Sequence, residues 1–201
     1  MKQSRYALFL VFALILLAMA VAASLLTRQP YQFKGSLIEP ARPAPNFTLT
    51  DETGQPFTLA SQISRPVLIF FGYTHCPDVC PVTLAEYKQI RAQLGAQADA
   101  ITCLFISVDP DRDTPQVIGE YTSLFDPAIV GLTGSLAELE PVYAAYGVVR
   151  TPHFDEGENY TVDHTARTYL VDPAGNLRLT YPFGFGVEGI VEDLQHLLAE
   201  K

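Results

Sequence analysis

Cysteine is scarce in this chain: three residues among 201 cannot build a disulfide scaffold. Basic residues are scarce too. Lys and Arg number 13 against 22 Asp and Glu, and three of the 13 (Lys2, Arg5, Arg28) fall in the first 28 positions, where no acid occurs. The remainder therefore carries 10 basic and 22 acidic side chains. Nucleic-acid binding needs cations to replace phosphate counterions, so this balance argues against it. It equally disfavours docking on an anionic membrane surface. No internal repeat and no low-complexity segment interrupts the chain. A hydrophobic fraction of 48% with 17% charged residues excludes a disordered protein.

What is present first is a long apolar run. Tyr6 to Leu26 holds 21 residues without a charge, enough for a spanning helix at 1.5 Å per residue. Lys2 and Arg5 precede it, so the positive-inside bias places a cytoplasmic N-terminus at 1–5, a transmembrane anchor at 6–26 and everything after Arg28 outside. The rival is a cleaved signal peptide, with Ala18-Met19-Ala20 or Ala20-Val21-Ala22 as the cleavage site; its apolar region is usually shorter than this one. Either reading exports the remainder. Residues 27–44, with Pro30, Pro40 and Pro43, read as a semi-extended tether. Residues 45–201 then read as one domain.

Within that domain, Asn46–Thr50 and Gln55–Leu59 alternate around Asp51-Glu52-Thr53-Gly54, an N-terminal β-hairpin pattern. Val67–Phe71 and Ile101–Val108 are continuous apolar runs, as in strands covered on both faces. Between them a helix is expected from about Pro77, with Leu84, Tyr87, Ile90 and Leu94 on one face and Gly95 at its end. Thr114-Pro115 supplies an N-cap and an N1 proline for a second helix. Ala128–Leu132 reads as a strand and Ser135–Tyr146 as a helix. Arg167–Val171 and Leu177–Tyr181 flank a second hairpin turn, and Val187, Ile190, Val191, Leu194, Leu197 and Leu198 trace an amphipathic helix. A parallel half closed by an antiparallel hairpin and a helix is a thioredoxin-like α/β plan.

The chemistry lies just past the first central strand. Cys76 and Cys80, read as one turn apart at the start of a helix, can meet as a disulfide or around one metal ion. A helix N-terminus favours the thiolate, which is both nucleophile and metal ligand. An inert bridge is the weaker reading, because structural bridges gain most from closing long loops. In a thioredoxin-like fold the loop entering the strand at Arg167 faces that helix N-terminus, which brings His164 near the cysteines. Two thiolates and an imidazole suit copper, and an open Cys2His set also suits zinc, so spacing leaves the metal undecided. His75 could tune Cys76. His153 and His196 read as solvated, and Cys103 reads as core. Asp113 reads as a helix cap; Asp78, Asp109 and Asp163 are candidates for orienting the ligands from outside. The loop Asp155-Glu156-Gly157-Glu158 reads as solvated.

Three blocks carry a resemblance: Gly72-Tyr73-Thr74-His75-Cys76-Pro77-Asp78-Val79-Cys80-Pro81, Phe105-Ile106-Ser107-Val108-Asp109-Pro110-Asp111-Arg112-Asp113-Thr114-Pro115, and Asp163-His164-Thr165 with Tyr169-Leu170-Val171-Asp172-Pro173 and Gly175. In this order they resemble the Sco/SenC family of copper-binding proteins over about residues 45–199. The resemblance implies a membrane-tethered metallochaperone with Cys76, Cys80 and His164 as ligands of Cu(I) and Cu(II). Its implied partner is the CuA-bearing subunit of cytochrome c oxidase, with another exported copper chaperone or a thioredoxin-like reductant upstream. The alternative is a thiol–disulfide oxidoreductase with Cys76 attacking and Cys80 resolving, acting on the CuA-site cysteines or in redox defence; a peroxidase is weaker. Against it as sole role stand the CxxxC spacing, where dedicated oxidoreductases of this fold use CxxC, and the lack of a proline beside His164.

Overall fold

The structure is a computed structural model describing residues 6, 10–19, 30–154 and 160–200. The chain divides into two units, 1–32 and 33–201. In the first, residues 10–19 are helical. The N-terminus expected at 1–5 and much of the anchor expected over 6–26 lie outside the described residues, as does the acidic loop 155–158. Among the described residues no helix is long and apolar enough to cross a membrane.

The second unit runs β1 (Ser36–Pro43), β2 (Thr48–Asp51), β3 (Pro56–Thr58), β4 (Val67–Gly72), α1 (Val79–Leu94), β5 (Thr102–Ser107), α2 (Pro115–Ser123), β6 (Ile129–Thr133), α3 (Leu136–Tyr146), β7 (Arg150–His153), β8 (Thr161–His164), β9 (Arg167–Val171), β10 (Asn176–Pro182) and α4 (Val187–Ala199). Eight strands form one sheet in the order β1-β10-β9-β4-β5-β6-β2-β3, and β7 pairs with β8 in a separate two-stranded arm. β4, β5 and β6 are parallel, each joined to the next by a crossover that carries a helix. The two central apolar runs are β4 and β5, buried at every position. Phe70 stacks on Phe105 on one face of the sheet. Phe71 meets Tyr143, Tyr146 and Tyr169 on the other.

Local signals act where the sequence places them. The expected face of α1 is buried through Leu84, Tyr87, Ile90 and Leu94. Thr114 Oγ1 accepts the Val117 N–H, with Pro115 opening α2. Gly54 adopts φ +80 in the β2–β3 turn, a conformation glycine takes without strain. Cys103 lies fully buried in β5.

Two segments depart from expectation. Ser36–Pro43, placed in the tether by its prolines, is an edge strand antiparallel to β10. Pairing holds at Ser36 and Leu37 and resumes at Arg42 and Pro43; Pro40 falls in the irregularity between them. An edge tolerates proline because one side of it needs no ladder donor. The β7–β8 arm lies where no strand is expected, because its strands are four residues each, carry little apolar alternation and pair with each other alone.

A buried carboxylate fastens the start of β1. Asp193 of α4, with no exposed surface, accepts the N–H groups of Lys34 (2.9 Å) and Gly35 (2.9 Å) and the Tyr181 hydroxyl (2.9 Å). Asp193→Ala removes the shared acceptor of three donors and should cost about 3 kcal/mol, read by chemical denaturation. A loss below ~0.5 kcal/mol, the size of an ordinary surface substitution, would show that this clamp does not hold the segment.

Candidate metal centre

β4 ends at Gly72, and the chain then turns through Tyr73–Asp78 before α1 begins at Val79. Cys76 therefore lies in this turn and not on the helix, its N–H donating to Tyr73 O (3.3 Å). Cys80 sits in the first turn of α1. The two sulfurs meet because the turn curls back over the helix N-terminus: the Cys80 N–H donates to Cys76 Sγ at 3.5 Å. All three cysteines are free thiols.

The second wall is the β7–β8 arm, whose last residue is His164. Its Nε2 lies 3.7 Å from Cys80 Sγ, and the donor atoms of Cys76, Cys80 and His164 all lie within 4.8 Å of one another. Such a group can close on one ion. Nδ1 of His164 donates to the Thr165 carbonyl (3.3 Å), which leaves Nε2 of the neutral ring with its lone pair for a metal. The ring is wedged edge-on between Phe70 and Tyr73, each with centroids 5.9 Å away. Cys80 is fully buried, Cys76 half-buried.

Gly72 sets the depth of the site. A Cβ there would stand 2.7 Å from Cys80 Sγ and 2.7 Å from Phe105 Cε2, so only glycine lets the helix start press this thiol onto the strand end.

The two thiols titrate as an unequal pair. The hydrogen bond from Cys80 is the main cause that draws Cys76 down to about 3. The neighbouring His164 and the backbone N–H groups of Asp78 and Cys80 add to it, and burial opposes it. Cys80 is pushed up, first because that bond keeps its proton and then by burial. Burial likewise raises Cys103, to about 12. The site thus presents one accessible thiolate backed by one buried thiol.

The outer candidates sit apart from the sulfurs. Asp78 is exposed and reaches Cys76 only through its backbone N–H. Asp163 turns away to His153 Nε2 (2.8 Å). Asp109 is fully buried and binds Arg112 Nε and the Tyr160 hydroxyl, each at 2.5 Å. Arg112 lies over the Tyr160 ring at 3.5 Å, so Asp109 braces the arm that carries His164.

Asp113 corrects the reading as a helix cap: Thr114 is the cap, and Asp113 is buried beneath the cysteine turn. Its carboxylate accepts the hydroxyls of Ser107 (2.6 Å) and Thr74 (2.7 Å) and, more loosely, the Thr74 N–H (3.3 Å). Burial raises its pKa, against these hydrogen bonds. Thr74, Asp113, Tyr73 and Gly72 escape sequence reasoning as site residues. Their one signal is position, since all four lie inside the first two of the three quoted blocks.

A family model described as SCO1/SenC matches residues 36–199. The mitochondrial SCO1 homolog of Homo sapiens is 43% identical over 132 residues, covering 64% of this chain and 44% of that protein. Protein SenC of Rhodobacter capsulatus is 41% identical over 131 residues, covering 63% and 58%. The chain spans about half the length of the curated relatives it matches. Among solved structures, Bradyrhizobium japonicum ScoI with copper bound superposes with a TM-score of 0.71 at 42% identity, over 78% of this chain and 100% of that one. Apo Sco1 from Thermus thermophilus superposes with a TM-score of 0.75 at 35% identity, over 84% and 98%.

The unequal thiols generate a direct prediction. In the metal-free chain iodoacetamide should label Cys76 and spare Cys103, at a rate that barely changes between neutral and mildly acidic pH. Cys80→Ala removes the donor and should move the midpoint upward; Cys80→Ser keeps a hydroxyl donor and should move it less. A wild-type midpoint near the ordinary thiol value of about 8.5 would contradict the asymmetry.

Proposed function

The chain belongs to the SCO1/SenC family, and from that premise we propose that it is a copper metallochaperone that holds one ion with Cys76, Cys80 and His164. The observation that carries this reading is the convergence of two sulfurs and one imidazole nitrogen within 4.8 Å. Two thiolates and an imidazole form a soft set suited to Cu(I), and the imidazole also accepts Cu(II). Copper is favoured over zinc by the 42% identical ScoI, whose structure has copper bound. Bound to these three side chains, the ion would keep a position through which an incoming ligand can attack. Cys76, half-buried, is the side from which a partner can reach it.

The recipient in this proposal is the CuA-bearing subunit of cytochrome c oxidase, with another exported copper chaperone or a thioredoxin-like reductant supplying metal or electrons. The apolar run at 6–26 anchors the protein as a single-pass protein of the cytoplasmic membrane, with the domain on the outer, periplasmic side. Lys2 and Arg5 support that orientation.

A second reading has its own observation. An accessible thiolate at Cys76 backed by the buried thiol of Cys80 is the arrangement of an attacking and a resolving cysteine. The pair could reduce the recipient's cysteines or act in redox defence. The two roles are compatible in one molecule, because oxidised cysteines cannot hold copper.

Competition titration with a Cu(I) chelator should give one copper per reduced chain. Cys76→Ser or Cys80→Ser should each weaken binding by more than the ~10–100-fold that loss of an outer-shell partner costs, while Cys103→Ser leaves it unchanged. His164→Ala should lose the thiolate-to-Cu(II) charge-transfer band and keep thiol exchange with small disulfides. If either cysteine variant binds Cu(I) like the wild type, the site is misplaced; rescue of oxidase assembly by His164→Ala without added copper would favour the oxidoreductase.

For orientation, a reporter fused after Lys201 should be active only on the outer face. Activity in the cytoplasm would overturn the topology.

A further inference from the structure

The β7–β8 arm meets the rest of the domain through one face. Thr151 and Asp163 are exposed, and the positions that alternate with them, Arg150 and Pro152 on β7 and Val162 and His164 on β8, are half-buried or buried. Arg150 opens β7, His164 closes β8, and the two are register partners. Residues directly opposite in an antiparallel pair project from the same face, with Cβ atoms about 5 Å apart. Neighbouring strands of the main sheet are spaced by nearly the same distance, about 4.8 Å. The pair therefore fits two adjacent strand ends. His164 reaches over the exit of β4, with Nε2 3.7 Å from Cys80 Sγ. Arg150 reaches the exit of β5, where its Nε donates to the Val108 carbonyl.

Val108 links that grip to the cysteines. It is fully buried, and its own N–H donates to the Gly72 carbonyl at 2.8 Å. Gly72 is the residue from which the chain leaves β4 for the cysteine turn. One residue thus takes the arm on its carbonyl and the root of the cysteine turn on its N–H. A buried carbonyl needs a donor, and here the donor comes from the strand position directly opposite the nitrogen ligand. The Tyr160 hydroxyl on Asp109 and the Val162 N–H on Tyr73 tie down β8 and the residue before it; Arg150 ties down the other strand, level with His164.

We infer that Arg150 is the positioning residue of the nitrogen ligand: its grip on Val108 sets where His164 stands over the cysteines, and with it the hold on Cu(II) as distinct from Cu(I). The inference rests on the copper reading above. The bond from Arg150 runs to the backbone of β5 and not to a sulfur, so its loss leaves both thiols in place. Cu(I) is served by two soft sulfurs, whereas Cu(II) prefers nitrogen-containing surroundings. Loosening His164 therefore bears on the oxidised ion first.

The test uses the full chain purified in detergent. Arg150→Met keeps the apolar stem and removes the donor; Arg150→Lys keeps a cationic donor. In the metal-free protein, amide hydrogen exchange at Val162 and Thr165 should speed up by about tenfold in Arg150→Met and return toward the wild-type rate in Arg150→Lys, with the amides of β4 and β5 unchanged. In the copper arm, Arg150→Met should weaken Cu(II), followed through the thiolate-to-Cu(II) band, by the ~10–100-fold that loss of an outer partner costs. Its Cu(I) affinity should stay within about twofold of wild type, and Arg150→Lys should recover most of the Cu(II) loss. Unchanged exchange or unchanged Cu(II) affinity in Arg150→Met overturns the inference. So does an equal fall for both ions, which would mean general damage to the centre, and so does an Arg150→Lys protein no better than Arg150→Met. A wild type that binds no copper sinks the copper reading instead, and the exchange rates then still decide whether Arg150 holds the arm.

Discussion

Everything at this centre depends on how closely the first turn of α1 approaches the end of β4. That approach is limited by one atom. At Gly72 a hydrogen stands where any other residue would put a Cβ 2.7 Å from Cys80 Sγ. Because the contact is allowed, the buried thiol rests on the sheet, the preceding turn folds Cys76 over the helix N-terminus, and the helix donates its Cys80 N–H to Cys76 Sγ. His164 then needs only to arrive from the other side. It does so on a short arm whose bracing runs through Asp109, Arg112 and Tyr160 and through the Val162 N–H donating to the Tyr73 hydroxyl. Strand end, helix start and arm are separate pieces of chain, and the centre exists only where they meet.

The same geometry explains the electrostatics. One sulfur is half-buried and stabilised as an anion by donors; the other is fully buried and keeps its proton. A metal ion would replace that shared proton as the positive charge between them. This is why metal binding and thiol chemistry belong to one site, and why the state of the pair decides which of them is open.

Much of this is legible in the amino-acid sequence, for reasons that differ by element. β4 and β5 announce themselves because strands covered on both faces must be apolar at every position, and α1 because its buried face repeats at helical spacing. Thr114-Pro115 and the turn at Gly54 are local chemistry, read within a few residues. The long-range approach of His164 to Cys80, 84 positions away, follows from the expected fold. What escapes is whatever depends on partners distant in sequence. Ser36–Pro43 reads as tether because an edge strand needs neither alternation nor a full ladder. The β7–β8 arm is hidden because its two strands satisfy only each other. Asp113 reads as a cap because aspartate before a helix usually is one; its burial beneath Thr74, 39 positions away, has no local signature. Cys76 reads as helical for the opposite reason, since spacing alone cannot separate the last turn residues from the first helical ones.

The central claim is that three side chains from a turn, a helix and an arm act as one copper centre. X-ray absorption at the copper edge of the Cu(I)-loaded full chain tests it most directly. The account predicts scattering from two sulfurs and one imidazole nitrogen on a single ion, with the nitrogen contribution lost in His164→Ala. A sulfur-only shell in the wild type, or an imidazole contribution that persists after His164 is removed, would contradict it.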